Sequence, residues 1–70
     1  MFFGNGLDYM IMQSQEYADK IINTIEKYYK QDIDIAAIDF FEVCGINKKD
    51  VLPADLNRID QTLKKFYYRT

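Results

Sequence analysis

The chain has 70 residues, enough for one domain and one small hydrophobic core. Hydrophobic residues make up 49% and aromatics 16%, with three Gly and one Pro, which excludes a disordered chain or a linker, and no repeat or low-complexity tract points to a solenoid. Histidine is absent, the only cysteine and serine are Cys44 and Ser14, and the net charge is −2, so nucleophilic, acid–base and transition-metal chemistry lack their usual residues and no enzyme is expected.

At the N-terminus, Gly4-Asn5-Gly6 reads as a turn, with Asn5 or Asp8 able to cap a first helix. Met1, Phe2 and Phe3 are then expected to fold back onto the body or onto a second subunit. Residues Leu7, Ile11, Ser14, Ala18, Ile21, Ile22, Ile25 and Tyr29 recur at spacings of three and four, which predicts an amphipathic helix over 7–30. Its other side carries Glu16, Asp19, Lys20, Glu26, Lys27 and Lys30, with Glu16 to Lys20 and Glu26 to Lys30 in the favourable i, i+4 order. This is a solvated face.

The aspartates of Gln31-Asp32-Ile33-Asp34 are unfavourable at a helix C-terminus and favourable at the start of the next helix, so the first helix is expected to stop near Lys30. Asp34 is the expected N-cap of a second helix over 35–44, with Ile35, Ile38, Phe41 and Val43 inward. Gly45-Ile46 then supplies a glycine stop and an apolar residue that packs back. Cys44 has no partner for a disulfide and reads as a small buried hydrophobe at a helix end, where carbonyl dipoles disfavour a thiolate. Asp32, Asp34, Asp39 and Glu42 begin like a calcium loop, but Ala36, Ala37 and Val43 stand where a ligand, a glycine and the bidentate Glu are needed. Neither a metal nor a cofactor is expected.

Pro53 suits the first turn of a third helix over 53–67, on which Leu56, Ile59, Leu63 and Phe66 share the inward side. With Asn57 at 0° on the helical wheel, Gln61, Lys64, Tyr68, Lys65 and Arg58 fall within an arc of about 120°, while Asp55 and Asp60 fall outside it. One face is therefore read as basic, amide-bearing and free of acids. Residues 1–46 hold three Lys and eight Asp or Glu, net −5, and residues 47–70 hold six Lys or Arg and three Asp, net +3.

Two clusters interleave aromatic and basic residues, Lys27-Tyr28-Tyr29-Lys30 and Lys64-Lys65-Phe66-Tyr67-Tyr68-Arg69. Tyrosine stacks on bases and lysine or arginine neutralises phosphate, a combination suited to single-stranded nucleic acid. The competing reading places the rings in the core with their hydroxyls in water, and it is favoured for the first cluster because Tyr29 lies in the helical stripe. For the second the two readings balance.

The segment Ile35-Ala36-Ala37-Ile38-Asp39-Phe40-Phe41-Glu42-Val43-Cys44-Gly45-Ile46, followed by the helix from Pro53 to Arg69, resembles the winged-helix module at the C-terminus of primase-helicase proteins of phages and mobile elements, the virulence-associated E-like family. The matching positions are Arg58, Ile59, Leu63 and the tail Tyr67 to Arg69, across residues 34–69. The resemblance implies a helix-turn-helix in which Arg58 and Lys65 face phosphate while Ile59 and Leu63 are core. The chain departs from the pattern at Phe41, where a small residue is usual, in its long turn, and at Thr70, where a wing would begin. With no Gly-rich nucleotide loop, the family's helicase and primase activities do not carry over.

The expected fold is thus all-α, a small three-helix domain with a long first helix, a helix-turn-helix-like C-terminal half and no complete wing. The leading functional expectation is a nucleic-acid-binding module, accessory to replication or regulation in a mobile element, binding DNA through Asn57, Arg58, Gln61, Lys64, Lys65, Tyr68 and Arg69. The alternative is a small acidic adaptor or inhibitor that docks on a partner protein. A first helix of ~35 Å against a second of ~15 Å leaves apolar surface uncovered. A homodimer, or a partner interface, is therefore expected through Phe2, Phe3, Leu7, Ile11 and Ile22. Lacking a disulfide framework, a spanning segment (apolar runs such as Ile35 to Ile38 reach only four residues) and an export signal, the chain is expected to be cytoplasmic and off the membrane.

Overall fold

The computed structural model describes the backbone of residues 5–67 and the side chains of residues 9–67. It is all-α: helix α1 spans Asn5–Lys30, α2 spans Phe40–Cys44 and α3 spans Pro53–Tyr67, with short 3₁₀ turns at Ile35–Ala37 and Lys48–Asp50. Among the described residues there is no strand and no helix long and apolar enough to cross a membrane. The first helix begins two residues earlier than its apolar stripe, within the expected Gly4-Asn5-Gly6 turn, and the third has the bounds that Pro53 and the stripe predict.

Helix α1 ends by a two-bond closure in which Ile33 N–H donates to the Tyr28 carbonyl (3.1 Å) and Asp32 N–H to that of Tyr29 (3.1 Å). This geometry needs a left-handed residue, and Asp32 supplies it at φ 62°. The same closure ends α2, where Gly45 at φ 68° lets Ile46 N–H reach the Phe41 carbonyl (2.8 Å) and Ile46 is buried. The glycine stop is as expected.

The expected continuous helix over 35–44 is instead split. Asp34 caps only the 3₁₀ turn, accepting from Ala36 N–H (3.1 Å), and Ile38 is extended at φ −109°, ψ 134°. A second cap, Asp39, accepts from Phe41 N–H (3.1 Å) and Glu42 N–H (3.4 Å) and starts α2 afresh. Aspartate side chains compete with helical hydrogen bonding for nearby N–H groups, so two of them five residues apart favour two short elements over one longer helix. The restart changes which residues point inward. Phe40 is buried with its ring 5.5 Å from that of Tyr28, whereas Val43, expected inward, is 48% exposed.

The buried core is Ala18, Ile21 and Ile25 of α1, Ile35, Phe40, Ile46 and Val51 of the connecting segment, and Ile59 of α3. Leu56, Leu63 and Phe66 pack against it but stay half-buried, because a five-residue α2 cannot cover their outer edges. Tyr29 stacks on Phe66 at 4.4 Å between ring centroids, which favours the core reading of the first aromatic cluster. Cys44 is half-buried, its thiol 3.4 Å from the Thr24 hydroxyl.

Ser14 meets Asp55, Asp19 meets Arg58 and Tyr29 meets Phe66, so α1 and α3 run parallel with both C-termini at one end.

Candidate functional site

Where α3 begins, its N-terminal amides are satisfied by an arrangement that spans two helices. Leu52 occupies the N-cap position and has no capping oxygen, and Pro53 at the first helical position has no N–H to satisfy. An acid at the third helical position ordinarily reaches back to the N-cap N–H. Here a hydroxyl from α1 is inserted between them: Leu52 N–H donates to Ser14 Oγ (2.8 Å), and Ser14 Oγ donates to Asp55 Oδ2 (2.5 Å). Ser14 and Asp55 are both buried, and every buried side-chain polar atom among the described residues has a partner.

Arg58 completes the cluster, donating from Nη1 to Asp55 Oδ1 (3.0 Å) and from Nη2 to Asp19 Oδ1 (2.8 Å). These bonds, to Asp19 first and Asp55 second, hold the guanidinium pKa above its ordinary value. Arg58 was expected to project toward phosphate; it is turned along the α1–α3 seam instead. Asp55 lies outside the basic arc by helical angle, but its side chain bends back to the residue three positions on.

Of the other α3 candidates, Asn57, Gln61, Lys64 and Lys65 are exposed, and Lys64 pairs with Asp60 at 3.1 Å. The face read as free of acids therefore has Asp19, Asp55 and Asp60 in contact with two of its cations. Asn57, Arg58 and Gln61 line one open groove of about 500 Å³ with Ile22 and Thr62. Ile22, expected at a subunit interface, thus lies beside the α3 face. Tyr68 and Arg69 lie outside the described residues, as do Phe2 and Phe3 and the side chain of Leu7.

The two aromatic–basic clusters meet at the end where both helices finish. Tyr29, Lys30, Lys65, Phe66 and Glu26 line a cleft of about 290 Å³ there. Two parallel helix C-termini present negative dipole ends, which Lys27, Lys30, Lys64 and Lys65 in the last turns offset. That local demand accounts for the lysines, and the stacked Tyr29 and Phe66 rings occupy each other's faces.

The opposite end of α1 has a different character. Coverage by α3 begins at Ser14, beside Leu52 and Asp55, so residues 5–13 extend about 13 Å beyond it. On this overhang Tyr9 is 65% exposed, Met10 53%, Ile11 39% and Met12 60%. Successive residues step by about 100° around the helix, so these four occupy its whole circumference rather than one stripe. Ile11 was expected at an interface; Tyr9, Met10 and Met12 were missed because a search for one inward stripe discards residues off it.

A second apolar surface lies between α2 and α3, where Phe41, Leu56, Ile59 and Leu63 with Lys48 and Asp60 line a groove of about 350 Å³. The Lys48 ammonium sits 5.9 Å from the centre of the Phe41 ring. No three His, Cys, Asp or Glu side chains among the described residues converge as a metal site. No family model, curated protein or solved structure matches the chain.

Proposed function

We propose that the protein is a small helical interaction module that docks on protein through the N-terminal overhang of α1. The observation that carries this reading is the run from Tyr9 to Met12, four large apolar side chains exposed on the part of α1 that projects beyond α3, with no other helix among the described residues packed over it. A helix apolar on all sides belongs in an enclosed site, and helix-in-groove docking is the recognition mode that supplies one. Exposed apolar area of this kind costs solubility unless it is used. The acidic balance of the chain, pI ≈ 4.8, fits a protein partner better than a polyanion.

A second reading, nucleic-acid binding through the helix-turn-helix-like half, retains support from Asn57, Gln61 and Lys65. They are exposed together on α3, and Lys65 takes part in none of the ion pairs among the described residues.

One experiment separates the two. The full chain is affinity-purified after nuclease treatment beside Met10→Glu/Met12→Glu and Asn57→Ala/Gln61→Ala/Lys65→Ala variants, and all three are titrated with labelled oligonucleotides at 50–200 mM salt. The docking reading expects a protein, foreign or a second tagged copy, that is retained by the unmodified chain and lost from the first variant. Oligonucleotide binding lost only from the second variant, with no protein lost from the first, overturns it in favour of nucleic acid.

A further inference from the structure

We propose that Met10 and Met12 form an oxidation switch on the α1 overhang: hydrogen peroxide converts their thioethers to sulfoxides, which makes the apolar overhang polar and releases the docked protein. The proposal rests on the docking reading above and adds the regulation of that surface.

Position and chemistry together single out these two side chains. The methionines of the chain are Met1, Met10 and Met12, and the last two are 53% and 60% exposed. Peroxide reaches both sulfurs without any opening of the fold. The buried core contains no methionine, and beyond Met12 the remaining sulfur is the half-buried Cys44 thiol, which donates to the Thr24 hydroxyl. In the reaction a thioether lone pair attacks one peroxide oxygen and the O–O bond breaks as the S–O bond forms. The departing hydroxide takes the proton of the transferred oxygen and leaves as water, so sulfur is oxidised by two electrons and peroxide is reduced. Reversal needs a methionine sulfoxide reductase, whose two thiols close a disulfide while the sulfoxide oxygen leaves as water.

The placement directs the oxidation at docking and away from folding. Met10 and Met12 stand about 160° apart around the helix, on nearly opposite sides. A partner that encloses half of the circumference therefore has at least one of the two sulfurs inside its footprint or at its edge, whichever side it takes. Tyr9 to Gln15 carry no charge, and two of the four large apolar side chains from Tyr9 to Met12 are the methionines, so oxidation changes half of the docking surface at once. Each sulfoxide brings an acceptor that a dry apolar site leaves unpartnered, which weakens docking about tenfold. The core is untouched, because its buried residues are Ala, Val, Ile and Phe, which peroxide leaves intact.

The test treats the full chain alone with hydrogen peroxide, beside a Met10→Leu/Met12→Leu variant that still carries Met1 and Cys44, and compares each chain with itself before and after treatment. Peptide mass spectrometry should show Met10 and Met12 oxidised about as fast as free methionine, with the circular dichroism spectrum and the urea midpoint unchanged. Retention of the chain on a phenyl matrix should fall. Its retention of the protein that Met10→Glu/Met12→Glu loses should fall about tenfold. Both should return after methionine sulfoxide reductase and dithiol, and neither should change with peroxide in the Leu variant. Full oxidation of both methionines that leaves protein retention unchanged overturns the switch while the docking reading stands. A loss that peroxide produces equally in the Leu variant, or that comes with unfolding, assigns the effect to other groups and overturns it too. If the untreated chain retains no protein that Met10→Glu/Met12→Glu loses, the docking reading itself fails and the switch with it.

Discussion

Ser14 carries more than its size suggests. Its hydroxyl supplies the acceptor for Leu52 N–H and the donor for Asp55 Oδ2, so Ser14→Ala leaves that N–H and that carboxylate oxygen unpartnered at the start of α3, while Asp55 Oδ1 keeps its bond from Arg58. Each buried unsatisfied group costs about 1–3 kcal/mol. Urea unfolding of Ser14→Ala should register a loss in that range, and Ser14→Thr, which keeps the hydroxyl, should recover part of it. The pair from Arg58 to Asp19 is different: with side chains 46% and 61% exposed, it contributes little and weakens with salt. Because the folded state raises the Arg58 pKa, its contribution is full below the ordinary arginine value and is lost only as pH rises through the raised one. Stability from this group should be flat across neutral and moderately alkaline pH in thermal melts. Replacing Arg58, Lys64 and Lys65 together, a natural way to test the α3 face, would also strip Asp55 of a partner; Asn57, Gln61 and Lys65 can be changed without touching the seam.

At the scale of elements, the two helix endings make a matched pair. Asp32 adopts φ 62° at the end of α1, where both its Cβ and its negative charge are unfavourable, so Asp32→Gly should stabilise by about 0.5–1 kcal/mol. Gly45 adopts φ 68° at the end of α2 with open space around it, so Gly45→Ala should cost about 1–2 kcal/mol from the backbone alone. Chemical denaturation of the two variants should give shifts of opposite sign. Helix α2 is too short to persist by itself and depends on the side chain it buries. Phe40→Ala should destabilise by about 3–5 kcal/mol, whereas Val43→Ala should change stability by less than about 0.5 kcal/mol. The reverse order would restore a helix started by Asp34. These elements differ in how far the chain reveals them. Pro53 and the Leu56, Ile59, Leu63 spacing mark α3 unambiguously, and Gly45-Ile46 marks the end of α2. The start of α2 is hidden because Asp34 and Asp39 are equally good caps, and the choice falls to which register buries Phe40 against Tyr28. The seam is hidden for another reason: periodicity turns Ser14 inward but does not say that it meets a carboxylate 41 residues away.

For the whole molecule, the contrast between its ends should be visible in amide hydrogen exchange. Amides of residues 9–13, which have no neighbouring helix among the described residues, should exchange faster than those around Ile21 and Ile25 in the free chain and become protected when a partner docks. Protection that does not depend on concentration or on an added partner would contradict a docking role for the overhang. The parallel course of α1 and α3 has one more consequence, for the rate of folding. Parallel helices cannot be joined by a tight hairpin, so residues 31–52 must cross back along the body before α3 can start, and the seam closes only after that loop is ordered. Folding should therefore be slower than in a helical domain of equal length with antiparallel neighbours, since contacts about 40 residues apart impose a loop-closure cost before they contribute stability. In stopped-flow experiments Ser14→Ala should then mainly speed unfolding, with the refolding limb almost unmoved, because its partners across the seam join after the transition state.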